Sequence, residues 1–184
     1  MDKRSQAVLY YLYMKADFEI SAREAKLFNT ICDKLELDES DKEDVIDRIK
    51  GVSETHHLNC LELLKKNSGL TQFGTLHLSL YKFEKNEEKA TILWNLINLG
   101  YADTAYTNEE REVVDYLKKY WEIPDFLYQE MIDVVETCLA LEEHQRWAES
   151  LESSSYKDEK LNQIKRDLKQ IQDSIKITIA EFAL

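Results

Sequence analysis

Apolar residues recur every three or four positions along most of the chain, the period of amphipathic α-helices. Val8, Leu9, Leu12, Tyr13 and Ala16 predict a first helix over 5–16. Asp17 to Ile20 connects, and Ser21 opens a second helix with Leu27, Phe28, Ile31 and Leu35 on one face. A third helix is predicted over 39–50, carrying Val45, Ile46 and Ile49, and another over 57–66. Residues 70–84 fit two patterns: Leu76, Leu78 and Leu80 alternate like a strand, while Leu76, Leu80 and Phe83 fit a helix. Helix is preferred, because a lone strand would have no partner elsewhere.

From Glu87 the N-terminal pattern returns. A helix ends near Tyr101 and Ala102, residues 103–106 connect, and Thr107 opens a helix carrying Val113, Val114, Leu117 and Trp121. Pro124 fits the first turn of the next helix. That helix carries Met131, Ile132, Val135, Cys138 and Leu139 to about Trp147. Residues 7–50 thus align without a gap with 93–136, at a constant offset of 86. Identity is low, but the punctuation repeats: helix end, Asp, short connection, hydroxyl, Glu, matched apolar spacing. Ser21 meets Thr107, Glu24 meets Glu110 and Asp17 meets Asp103. Such repeats bury a common core against each other. The expected fold is all-α: a compact bundle of two related three-helix halves over 1–147, a connection over 148–155 and a long helix over 156–184.

The last helix has its own signature. Leu161, Ile164, Leu168, Ile171, Ile175, Thr178 and Phe182 follow a 3-4 spacing, an a/d seam of coiled-coil type. Two readings stay open for it: the last member of the bundle, or an arm that self-associates or docks on a protein partner.

Composition narrows the rest. Four glycines and one proline in 184 residues leave few turns for sandwiches or barrels. The 36 acids outnumber 24 bases for a net charge of −12, which argues against nucleic-acid binding through the bulk surface. Residues 157–176 depart from this, with six bases and four acids. No apolar run of membrane-spanning length occurs. Cys32, Cys60 and Cys138 read as small buried apolar residues in a reducing cytoplasm.

Ser21-x-x-Glu24 and Thr107-x-x-Glu110 are capping boxes, in which hydroxyl and carboxylate satisfy orphan N–H groups at a helix start. Asp17 and Asp103 lie at helix ends where the dipole disfavours a carboxylate. They act either as turn residues or, with Glu24 and Glu110, as hard oxygen ligands for Ca²⁺ or Mg²⁺. Glu54 and His57 resemble half of a di-iron carboxylate motif, but neither His77 nor His144 has a Glu three residues before it. No nucleophile elbow, phosphate loop, zinc-protease helix or dinucleotide fingerprint is present. The reading is therefore non-enzymatic, with no required cofactor.

The segments Ala16-Asp17-Phe18-Glu19-Ile20-Ser21-Ala22-Arg23-Glu24 and Ala102 to Glu110 resemble the motif of the tellurite-resistance TerB-like domains. That motif runs Ala-Asp-Gly, an aliphatic residue, a hydroxyl cap and a Glu three residues later. Phe18 and Thr104 replace its glycine, which implies a different loop path. The resemblance, over about 1–147, implies a compact helical fold of two related halves and a cytoplasmic bacterial module of stress or phage responses. It also implies acidic metal-binding surfaces or protein interaction rather than an established catalytic mechanism.

Overall fold

The computed structural model describes residues 1–16, 19–56, 60–67, 85–102 and 106–182. Eight helices lie among them: α1 (Lys3–Met14), α2 (Ala22–Lys34), α3 (Glu39–His56), α4 (Cys60–Asn67), α5 (Asn86–Gly100), α6 (Asn108–Tyr120), α7 (Asp125–Ser150) and α8 (Ser155–Phe182). The fold is all-α, and no strand occurs among the described residues. The stretch 70–84, read as helix from its pattern, lies outside them. The chain divides into two compact units, Met1–Glu122 and Ile123–Leu184. The division falls inside the second repeat rather than near residue 147.

The first unit is built around α1, which packs on α2, α3, α5 and α6. Every residue from Ala7 to Met14 is buried. A helix apolar on all sides belongs in the middle of a bundle, and the run Ala-Val-Leu-Tyr-Tyr-Leu-Tyr-Met has no polar face to turn to solvent. α5 is nearly as enclosed, burying Ala90, Ile92, Leu93, Leu96, Ile97, Leu99 and Gly100. The two helices meet around a buried polar contact, in which Asn95 Nδ2 donates to Tyr10 Oη at 3.0 Å. α2 and α6 are more strongly amphipathic and lay one stripe each on this centre, Phe28 and Ile31 from α2, Val113, Val114 and Leu117 from α6.

The offset of 86 relates α2 to α6 residue for residue, since both have 13 residues and the same N-cap geometry. It extends past their C-termini. Glu36 and Glu122, again 86 apart, are the two non-glycine residues with positive φ among the described residues, at 60° and 56°. After α2 the bonds are those of a Schellman motif: Glu36 N–H donates to Asp33 O at 2.9 Å and Leu37 N–H to Cys32 O at 3.0 Å. After α6, Glu122 N–H donates to Lys119 O at 3.3 Å. Lys42, buried at the start of α3, donates to Asp33 and Glu39 at 2.8 and 2.7 Å and so pins the α2–α3 corner. These two carboxylates raise its pKa.

The second unit is a helical hairpin. α7 runs to Ser150, three residues into the connection expected over 148–155, leaving 151–154 as the turn before α8. Lys157 Nζ donates to Glu149 O at 2.6 Å and Leu151 O at 2.9 Å. It thereby satisfies carbonyls that the end of α7 leaves without helical partners.

Candidate functional site

Both predicted capping boxes form. Ser21 N–H donates to Glu24 Oε2 at 2.7 Å, and Glu24 N–H to Ser21 Oγ at 3.1 Å. In the second copy, Thr107 N–H donates to Glu110 Oε2 at 2.8 Å, and Glu110 N–H to Thr107 Oγ1 at 3.3 Å. The two glutamates are unusual for capping residues in being 3% and 4% exposed. Buried carboxylates need fixed hydrogen-bond donors, and the cap backbone supplies them.

The charges of both boxes are felt at one buried side chain, Tyr13. This phenol is wholly buried, and its hydroxyl makes no hydrogen bond among the described residues. Burial first, then the charges of Glu110 and Glu24, hold its pKa well above the ordinary 10.0, so it stays protonated. The room for its hydroxyl comes from Gly100. A Cβ on Gly100 would lie 2.4 Å from Tyr13 Oη and 2.7 Å from Tyr106 Cδ2. The Tyr106 ring is held in turn against Tyr101, at 4.6 Å between centroids, and under the Arg111 guanidinium at 4.7 Å. A cavity of about 30 Å³, the size for one water, opens nearby beside Ala16, Cys60, Leu61 and Val113, with Glu109 and Glu112 exposed at its rim. Burial pushes the Cys60 thiol up too, so the group is a packing element rather than a nucleophile.

Of the four residues expected as cation ligands, Glu24 and Glu110 are each turned to their own cap, while Asp17 and Asp103 lie outside the described residues. Among the described residues no three His, Cys, Asp or Glu side chains are grouped for a metal. His57 and His77 also lie outside them. His144 is exposed on α7, its ring 5.2 Å from that of Trp147. Cys32 and Cys60 are buried, and Cys138 is half-buried. Sequence reasoning missed Tyr13 and Gly100 as partners. The signal was available: in the repeat Gly100 takes the place of Met14, so the second copy has a hole where the first has a side chain.

The heptad seam of α8 meets α7. Ile164 and Ile175 are buried, as is Ile179, which lies beside the seam, while Leu161, Leu168, Ile171, Thr178 and Phe182 are half-buried. Thr178 Oγ1 donates to Glu130 Oε1 at 2.9 Å and fixes the antiparallel register. The hairpin also carries the large apolar side chains exposed among the described residues: Phe126 at 65%, Trp147 at 48%, Tyr156 at 53% and Ile177 at 59%. No helix of the described residues is long and apolar enough to cross a membrane.

Comparison with known proteins finds no matching family model, curated relative or solved structure.

Proposed function

We propose that this chain is a non-enzymatic protein-interaction module, of the kind its TerB-like motif implies for cytoplasmic stress or phage responses, with the α7–α8 hairpin as its docking element. One observation carries the reading: Phe126, Trp147, Tyr156 and Ile177, the large apolar side chains exposed among the described residues, all lie on this hairpin. Aromatic residues left in solvent cost free energy that a partner surface recovers. The test is a photo-crosslinking phenylalanine analogue placed at Tyr156 or Trp147 in the full chain, irradiated in the producing cells. Discrete adducts from these positions, absent from the same analogue at exposed Lys26, are expected. Equal labelling at all three positions would refute the reading.

A second reading rests on the two buried glutamates, Glu24 and Glu110, that the repeat places at equivalent helix starts. With Asp17 and Asp103 they would bind a divalent cation at the paired junctions. Calcium titration by calorimetry tests it. Absent heat, unchanged in Asp17→Asn with Asp103→Asn, would end this reading.

A further inference from the structure

The exposed faces of α7 and α8 carry the same spacing with opposite charge. On α7, Asp133, Glu136 and Glu143 are exposed at intervals of three and seven. They lie opposite the helix's buried stripe of Leu127, Met131, Val134 and Val135. On α8, Arg166, Lys169 and Lys176 are exposed at the same intervals, on the side away from the buried Ile164 and Ile175. Intervals of three and seven keep side chains on one straight helix face.

The match extends past the charges when the two helices are set parallel. With Asp133 beside Arg166, Glu136 falls beside Lys169 and Glu143 beside Lys176. Ala140, exposed between the acids, then meets Asp173, and Trp147 meets Ala180, a small exposed residue that gives an indole room. The antiparallel hairpin prevents this pairing within one chain, because its helices run in opposite directions and already meet through their apolar stripes.

We infer that the acidic face of α7 docks on the basic face of α8 in a second copy of this chain. The inference rests on the reading of the hairpin as a docking element and names its occupant. Charge complementarity singles out a self-partner: the basic face belongs to a chain with net charge −12, and the acids that match its spacing are on the chain itself. The two faces differ, so the contact is heterologous and each copy keeps one of each face for the next. The stripe from Phe126 to Trp147 is ~32 Å long and ~10 Å wide. It buries on the order of 600 Å² in total, which places the contact among the weak, salt-sensitive ones.

Sedimentation velocity of the full chain over a concentration series tests this. At about 0.1 M salt the average mass is expected to rise continuously past that of a dimer. At about 1 M salt, where the Debye length falls to ~3 Å, it returns to monomer. Reversing α8 (Arg166→Glu, Lys169→Glu, Lys176→Glu) or α7 (Asp133→Lys, Glu136→Lys, Glu143→Lys) should weaken association about tenfold or more. Mixing the two variants should restore it, and unchanged helical circular dichroism shows that both fold. A monomer at every concentration in low salt, a plateau at dimer, or no recovery on mixing overturns the inference. Crosslinked adducts of another protein, with a monomeric chain, would overturn the self-pairing and leave the docking element standing. Salt-sensitive self-assembly with adducts only between copies of this chain would support the self-pairing and overturn the broader reading's separate in-cell partner.

Discussion

Substituting Gly100 with alanine adds one methyl group at the point where the two copies of the helical unit press together. No positive φ is involved at this position, so the alanine backbone is unstrained and the outcome is decided by contacts alone. The new Cβ would stand 2.4 Å from Tyr13 Oη, 2.7 Å from Tyr106 Cδ2 and 2.8 Å from Tyr106 Cε2. Ordinary carbon–carbon contacts are ~3.5–4.0 Å, so the rings must retreat by roughly 1 Å. Neither moves freely, since Tyr13 is fully buried and Tyr106 is clasped between Tyr101 and Arg111. Against this stands the helix propensity gained over glycine, at most about 1 kcal/mol and less at the final helical residue. Overpacking of a fitted core costs about 1–3 kcal/mol. The net expectation is a loss of about 2 kcal/mol, read as a fall of about 1 M in the urea midpoint at an m-value near ~2 kcal/mol/M. Tyr13→Phe removes the atom at 2.4 Å, together with a buried hydroxyl that makes no bond among the described residues. Alone it should stabilise by about 1 kcal/mol, and it should recover part of the Gly100→Ala loss, with a coupling of at least ~0.5 kcal/mol in a double-mutant cycle. A Gly100→Ala protein as stable as the parent, or additive single effects, would refute the steric account.

Glu36→Gly and Glu122→Gly should each stabilise by about 0.5–1 kcal/mol in urea melts, because a left-handed conformation costs a side-chain-bearing residue ~1–2 kcal/mol and glycine little. The Lys3–Glu36 ion pair lost in the first case is exposed and contributes little. Ser21→Ala and Thr107→Ala should each destabilise by about 1 kcal/mol, measured by the same melts. Alkaline pH should destabilise the fold. Burial raises Tyr10 and Tyr13 above their ordinary 10.0, and raises Cys32 from 9.0 to about 11 and Cys60 further. The unfolded chain therefore releases these protons first, and stability that is full below pH 9 declines as pH rises through 9–11, by up to ~1.4 kcal/mol per pH unit for each group. Denaturant midpoints at pH 8, 9.5 and 10.5 check this, and Cys32→Ser with Cys60→Ser should delay the onset toward pH 10.

Helix existence was legible throughout the described chain because the apolar period was regular, and both capping boxes could be placed to the residue. The extent of burial was less legible. The spacing of Val8, Leu9, Leu12, Tyr13 and Ala16 shows one face of α1, whereas the bundle encloses all of Ala7–Met14. Periodicity reports which side of a helix is more apolar, not how many neighbours it has. The polar, serine-rich stretch Glu149 to Ser155 reads as a connection, yet Lys157 reaches back to the last carbonyls of α7, which continues to Ser150. That Tyr13 feels the charges of both Glu24 and Glu110 depends on how α1, α2 and α6 cross, which spacing within one helix cannot specify. The same is true of the mate of the α8 seam, since a heptad pattern states that a partner helix exists and leaves its identity open.

The repeat itself looks different once its residues have partners. What recurs at an offset of 86 is the punctuation: the hydroxyl and carboxylate that cap α2 and α6, and the left-handed residues Glu36 and Glu122 that close them. Each of these settles backbone groups that any helix end leaves orphaned, so the duplicated unit needs them whatever the protein does. The copies part company elsewhere. Met14 becomes Gly100, which leaves room for the Tyr13 hydroxyl beside the Tyr106 ring. The third helix lengthens from 18 residues in α3 to 26 in α7, and it takes α8 as its mate. The shared residues therefore account for the fold, and function is to be sought where the symmetry breaks: at the Tyr13–Gly100 contact and along the hairpin, whose exposed aromatic side chains have no counterpart on the described surface of the first copy.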